Sequence, residues 1–233
     1  CLSSARKMVA LGYASAATKR SATAGALGLV NLFLTPRLAG LPGASRLAMS
    51  SSQLAEPWFA REKLTFSCTQ CGGCCSGDAG LVLFSREEGS QMATRLGLSV
   101  EQFYDRHAHR VATRGTIGAD KAWSLKELKS KKAGLVCTLL GKDGRTCSVY
   151  TDRPKQCSAY PIWRENVQTK ESWEEMKKEC PGVAAVDGKP FTTAHITRTL
   201  ADLDAYWETV ELEAHEDMAV AELLAQRARG RAQ

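Results

Sequence analysis

Eight of the nine cysteines lie after residue 67, and their spacing is the spacing of metal ligands: Cys68, Cys71, Cys74 and Cys75, then Cys137, Cys147, Cys157 and Cys180. The segment Cys68-Thr-Gln-Cys71-Gly-Gly-Cys74-Cys75 puts four thiols into eight residues. A C-x-x-C pair is short enough for one tight turn to bring both sulfurs to one metal. Gly72 and Gly73 can present backbone N–H groups to a thiolate with no side chain in the way. Neighbouring side chains usually diverge, so Cys74 and Cys75 are expected to face different ligands, or one of them is a spare thiol. A tetrahedral site takes four ligands, so eight cysteines are enough for two zinc ions, two clusters or one of each.

The repeated step C-x-x-C-x-x-C has the spacing of the three-ligand run in bacterial-type ferredoxins, and Cys180-Pro181 has the form of the Cys-Pro that ends such motifs. Two other uses of the thiols are weighed. Four disulfides satisfy the even count and would suit a secreted chain. A catalytic dithiol of Cys71 and Cys74 lacks a βαβ setting. The local charge favours ligands: residues 106 to 155 carry 12 basic and 4 acidic side chains, and a basic surround stabilises metal-thiolate centres. Residues 165 to 222 carry 14 acidic and 5 basic side chains, so pairing of the two segments within one fold is the plainer alternative. The His107-x-His109 pair is a lesser candidate for a ligand or proton relay, and Trp163 and Trp173 read as packing residues that shield the metal site.

The elements that must position these groups are short. Ser85 with Glu88 and Ser99 with Gln102 have the form of capping boxes, and each precedes apolar residues at helical spacing, which gives two short helices in succession. Strand-like runs follow at Ala122–Leu125, Leu135–Leu139 and Thr146–Tyr150, with a tight turn at Lys142-Asp143-Gly144-Arg145. From about Thr197 to Arg229, Leu200, Leu203, Trp207, Val210, Ala214, Met218 and Leu224 share one stripe of a long helix. Pro154 suits the first turn of a helix carrying Cys157, so Tyr150 to Tyr160 forms a rigid ligand-presenting corner. The expected fold is α+β: a small, irregular, cysteine-rich metal-binding domain with short helices, a few short strands and a long C-terminal helix.

The chain has 233 residues, 44% of them hydrophobic and 24% charged, which excludes collagenous, coiled-coil and wholly disordered chains. Its net charge of +6 invites an anionic partner. However, Arg6, Lys7, Lys19, Arg20, Arg37 and Arg46 fall in the first 50 residues, ahead of the first acid, Glu56, so the remainder sums to zero. An acid-free segment rich in Ala, Leu and Ser has the composition of an organelle transit peptide. Its longest uncharged run, between Arg20 and Arg37, is 16 residues, short of the roughly 20 that span a bilayer. The expected organisation is a leader at 1–50, a cysteine-cluster domain at 51–196 and a packing helix at 197–233. The expected location is an organelle, a plastid in preference to a mitochondrion, with no membrane span and no nucleic-acid partner. No phosphate-binding loop, dinucleotide fingerprint or nucleophile elbow is present in the sequence.

Phe66-Ser-Cys68-x-x-Cys71-Gly-x-Cys74-Cys75, Cys137, Cys147-Ser-Val-Tyr150-x-x-Arg153-Pro154-x-x-Cys157-x-x-Tyr160-Pro161 and Cys180-Pro181-Gly182 together resemble the CxxCxxCC (YkgJ-type) zinc- or iron-chelating domains. Flagellin lysine N-methylases also look related to these domains. The resemblance covers about half the chain. It implies a metal-chelating module with all eight cysteines as ligands, and Arg153 and Tyr150 as cofactor contacts. An iron-sulfur cluster, 4Fe-4S in type, is the favoured occupant and zinc the rival. Family members commonly carry Arg directly after the cysteine that follows Arg-Pro. Here that position is Ser158, so such a contact would pass to Arg153 or Arg164. Three functions follow in rank: an iron-sulfur protein working with a redox partner, a zinc-stabilised protein-interaction module, and a methyltransferase-like enzyme. The last has no S-adenosylmethionine-binding glycine motif to support it.

Overall fold

The structure, a computed structural model, describes residues 56–112 and 121–230; the leader at 1–50 lies outside the described residues. In chain order these form β1 (Thr65–Phe66), β2 (Ser76–Gly77), α1 (Arg86–Arg95), α2 (Val100–His107), β3 (Ala108–Ala112), β4 (Lys121–Leu125), β5 (Glu127–Ser130), β6 (Gly134–Cys137), α3 (Lys155–Ala159), α4 (Arg164–Val167), α5 (Lys170–Glu179), β7 (Lys189–Pro190) and α6 (Thr193–Gly230). The fold is α+β, with short helices and short antiparallel strands ahead of the long C-terminal helix.

Both capping boxes form as the sequence predicts. Ser85 accepts the Glu88 N–H while the Glu88 side chain accepts the Ser85 N–H, and Ser99 and Gln102 do the same for α2. Each box satisfies two helix-end N–H groups that would otherwise lack partners. Strands pair in three small antiparallel sheets, ordered β1-β7, β2-β6-β5 and β3-β4. In the β3-β4 ladder Ala108 faces Leu125 and Ala112 faces Lys121. The strand expected at Thr146–Tyr150 is not one. A single bridge joins Leu140 to Cys147, and the chain then enters a 3-10 turn at Tyr150–Asp152. Asp143, whose carboxylate accepts the N–H groups of Arg145 and Thr146, closes the turn; the Gly141 N–H to Thr146 carbonyl and Ser148 N–H to Leu139 carbonyl bonds flank the bridge, and the 3-10 turn then ends the pairing. The sequence reading did not identify α5. Its buried side chains are Trp173 and Met176 alone, too narrow a stripe to stand out among charged residues.

Two apolar clusters flank the cysteines. In one, Phe59, Leu64, Ile162, Val167, Trp173, Met176, Val183 and Ile196 pack together with Cys180 against them. In the other, Phe84, Met92, Ala93, Phe103, Ala108, Leu125, Leu139 and Val149 gather with Cys137 and Cys147 at the margin. Helix α6 closes over both sides: Leu203 packs on Ala159 and Trp163, and Val210 and Ala214 pack on Leu83 and Ala122. Of the predicted stripe, Leu203, Val210 and Ala214 are buried and Leu200 and Trp207 partly so, whereas Met218 is already exposed.

Candidate metal centre

The first cysteine loop is shaped by its glycines. Gly72 has a φ of +73° and opens the 3-10 turn Gly73–Cys75. A Cβ at Gly72 would lie 2.0 Å from the Gly144 carbonyl oxygen, so only glycine fits both the left-handed backbone and the close approach. The loop is thereby clamped on the Asp143–Gly144 turn, and Arg145 adds a second tie by donating from Nε to the Gln70 carbonyl at 3.3 Å. Gly73 donates its N–H to Cys71 Sγ at 3.4 Å, the backbone-to-sulfur bond that side-chain-free positions allow.

Cys74 and Cys75 do not diverge: their sulfurs lie 3.7 Å apart. Successive side chains of a 3-10 turn are rotated by about 120°, against about 180° in a strand, so both can reach one side. With zinc-sulfur bonds of about 2.3 Å, two sulfurs on one tetrahedral ion lie about 3.8 Å apart. The separation of the adjacent pair therefore matches one edge of such a site, and these neighbours converge where the sequence reading expects divergence.

The distal thiols come from four different elements. Cys137 ends β6, which pairs with β2 immediately after Cys75. Cys147 sits at the bridge to Leu140, Cys157 lies on α3, and Cys180 caps α5 by donating its N–H to the Met176 carbonyl at 2.8 Å. A Cβ at Gly182 would lie 2.3 Å from the Ser67 carbonyl oxygen, so the turn after Cys180 presses on the residue before Cys68. All eight thiols line one mostly apolar pocket, with Phe66, Leu81, Val82, Leu125, Leu139, Val149, Tyr150, Arg153, Tyr160 and Trp163 among its other walls. Cys68, Cys71 and Cys74 are exposed, the other five are partly buried, and none of the eight is in a disulfide. Among the described residues, no three His, Cys, Asp or Glu side chains are gathered around a single point. The thiols share a pocket without being closed on one centre. The donor set fits a thiophilic zinc or iron centre: soft sulfur ligands, a 3.7 Å pair and a low-polarity wall.

Electrostatics inside the pocket favour neutral thiols. The hydrogen bond with Cys74, followed by burial, pushes the Cys75 thiol far up. Burial pushes Cys157 well above the usual thiol value, with the Cys137, Cys74 and Cys147 thiols adding to it and Arg153 opposing. Cys147 is raised by burial against the pull of the Val149 N–H and of Arg153. Burial, and then Cys180, raises Tyr160, which hydrogen-bonds Cys180. Arg153 lies with its guanidinium carbon 4.0 Å from the centre of the Tyr150 ring and donates to the Tyr150 carbonyl at 2.7 Å, so a cation is fixed beside Cys147 and Cys157.

Other candidates fall elsewhere. His107 stacks on Phe103 at the end of α2 and His109 is exposed on β3, and neither lines the pocket. Trp163 lines it, whereas Trp173 belongs to the Phe59 cluster. Ser158 is exposed and bonds the Lys155 carbonyl. Gln156 was not singled out from the sequence. It is 2% exposed, accepts the Leu83 N–H at 2.9 Å and donates to the Leu81 carbonyl at 2.9 Å, which ties the residue before Cys157 to the pocket wall. No sequence signal marks it, because glutamine is ordinarily a surface residue.

Residues 67–181 match the model of the CxxCxxCC family, described as "Putative zinc- or iron-chelating domain". The match runs from the residue before Cys68 to the residue after Cys180. No solved structure matches the chain.

Proposed function

Because residues 67–181 belong to the CxxCxxCC family of zinc- or iron-chelating domains, we propose that the chain holds an iron-sulfur cluster through its cysteine thiolates and serves electron transfer or redox chemistry. The supporting observation is the supply of ligands: eight thiols line one mostly apolar pocket, more than the four that a cluster takes. A bound cluster would supply an electron-transfer couple whose potential depends on burial and on hydrogen bonds to sulfur. The chain's own residues act on both. Gly73 donates to Cys71, Tyr160 bonds Cys180, Arg153 sets a positive charge beside Cys147 and Cys157, and Leu81, Leu125 and Trp163 limit water. The implied partner is a redox protein. On the composition of residues 1–50 the proposed location is an organelle, a plastid in preference to a mitochondrion.

A second reading, a zinc-stabilised interaction module, draws on the 3.7 Å separation of Cys74 and Cys75, which suits two thiolates on one ion. Anaerobic expression of the chain with metal analysis separates the two. Iron, labile sulfide and a broad absorption near about 400 nm are expected of a cluster. A colourless protein with stoichiometric zinc would replace the first reading with the second, and a protein that takes up neither metal would defeat both.

A further inference from the structure

Cys157 is the one ligand candidate carried on a helix that lacks its own cap. Helix α3 spans five residues, and Pro154 at its start has no side-chain oxygen to satisfy the helix N–H groups. That role is filled from a distance. Oε1 of Glu88, on α1, accepts the Lys155 N–H at 2.6 Å. The other oxygen of the same carboxylate accepts the Ser85 N–H at 2.9 Å, and the Tyr206 hydroxyl of α6 lies 2.8 Å from it. One side chain thus meets the starts of α1 and α3 and the middle of α6. An anion at a helix start is favourable both for its hydrogen bonds and for the helix dipole.

We infer that Glu88 is a positioning residue for Cys157, and that the seating of α6 through Tyr206 is transmitted to the metal pocket by this carboxylate. Its consequence for metal rests on the reading of the pocket as a thiolate metal site. Groups that orient ligands from outside the coordination sphere commonly change metal affinity 10- to 100-fold when removed. Leu203 of α6 packs on Ala159 and Trp163, so α6 touches α3 from a second side, and the Glu88 bond fixes where along that contact the Cys157 turn rests.

The substitution Glu88→Gln isolates the role. Glutamine serves at this position of a capping box, as Gln102 does on α2, so α1 keeps its start. The amide nitrogen then faces the Lys155 N–H, donor against donor, and the tie to α3 is lost. In metal-free, reduced protein, iodoacetamide labelling followed by mass spectrometry is expected to show Cys157 reacting roughly tenfold faster in E88Q, the scale of a lost hydrogen bond to a charged group. Exposed Cys68 is expected to react at its wild-type rate. Tyr206→Phe is expected to move Cys157 in the same direction by less. Cobalt titration of the full chain, followed through its thiolate charge-transfer band, is expected to give a 10- to 100-fold weaker apparent Kd for E88Q. If Glu88 acts through Cys157, the double variant with Cys157→Ser binds no more weakly than Cys157→Ser alone. Unchanged Cys157 labelling in E88Q, or full additivity in the cycle, would overturn the inference. A wild-type chain that gives no cobalt-thiolate band would defeat the metal reading, while the labelling still decides whether Glu88 holds Cys157.

Discussion

A thiol becomes a ligand only by giving up its proton, and three thiols of this pocket hold theirs tightly. Cys75 is raised first by its hydrogen bond to Cys74, and Cys147 and Cys157 first by burial. These three are therefore neutral in the metal-free protein near pH 7, and each that binds metal must release a proton. The expected outcome is that apparent affinity falls as pH falls, with about one proton released per raised thiol recruited. Zinc titration in weakly buffered indicator at two pH values measures both, and an apparent affinity that does not change with pH would contradict it. The identities of the thiols were readable because C-x-x-C spacing is a local constraint. Their protonation was not, because it depends first on burial for Cys147 and Cys157, and for Cys157 also on Cys137 and Cys74, which only the fold brings near. The approach of Cys74 and Cys75 was also missed, since the rule that neighbours diverge presumes a strand and this segment is a 3-10 turn opened by Gly72.

Among the elements, α1, α2, α3 and α6 were legible and α5 was not. Capping boxes, a proline at a helix start and a long apolar stripe are written in adjacent residues. That α3 is capped by a carboxylate 67 positions earlier in the chain has no such local signature. Helix α6 has a working part and an exposed part, and truncations along it should separate them. Leu203 is 2% exposed and packs over Ala159 and Trp163, so Leu203→Ala is expected to cost about 2–5 kcal/mol. Leu212 is 62% exposed, and Leu212→Ala is expected to lie within about 0.5 kcal/mol of wild type. Urea unfolding compares the two. Equal losses would mean that α6 does not rest on α3 in solution.

For the whole molecule, the pocket lies between two apolar clusters that Cys180 on one side and Cys137 and Cys147 on the other bring to its walls. Metal bound there would join the clusters and stabilise the fold by mass action. At a metal excess of about 100 times Kd the gain is about 2.7 kcal/mol, or a midpoint rise of roughly 5–10 °C for a chain of this size. Calorimetry before and after chelation is expected to show that drop, and identical midpoints would show that metal does not hold the clusters together. The charge pattern resolves at this scale too. Arg86 and Arg110 meet Asp217, Lys155 meets Asp202 and Arg164 meets Asp204, all on α6. Of the basic segment at 106 to 155, Arg110 and Lys155 thus pair with the acidic helix. Among the described residues no helix is long and apolar enough to cross a membrane.

By itself the sequence determined the cysteine spacing, the family, the α+β class and the helices that announce their own ends, because each rests on residues a few positions apart. Tertiary structure alone decided that the four thiols of the first loop and the four distal ones share one pocket, that Gly72 must admit the Gly144 carbonyl, and that Glu88 caps a helix it does not belong to. These depend on distances between segments far apart in the chain, 67 residues in the case of Glu88. Such distances are set by how the apolar clusters pack, and no local pattern of residue types encodes them.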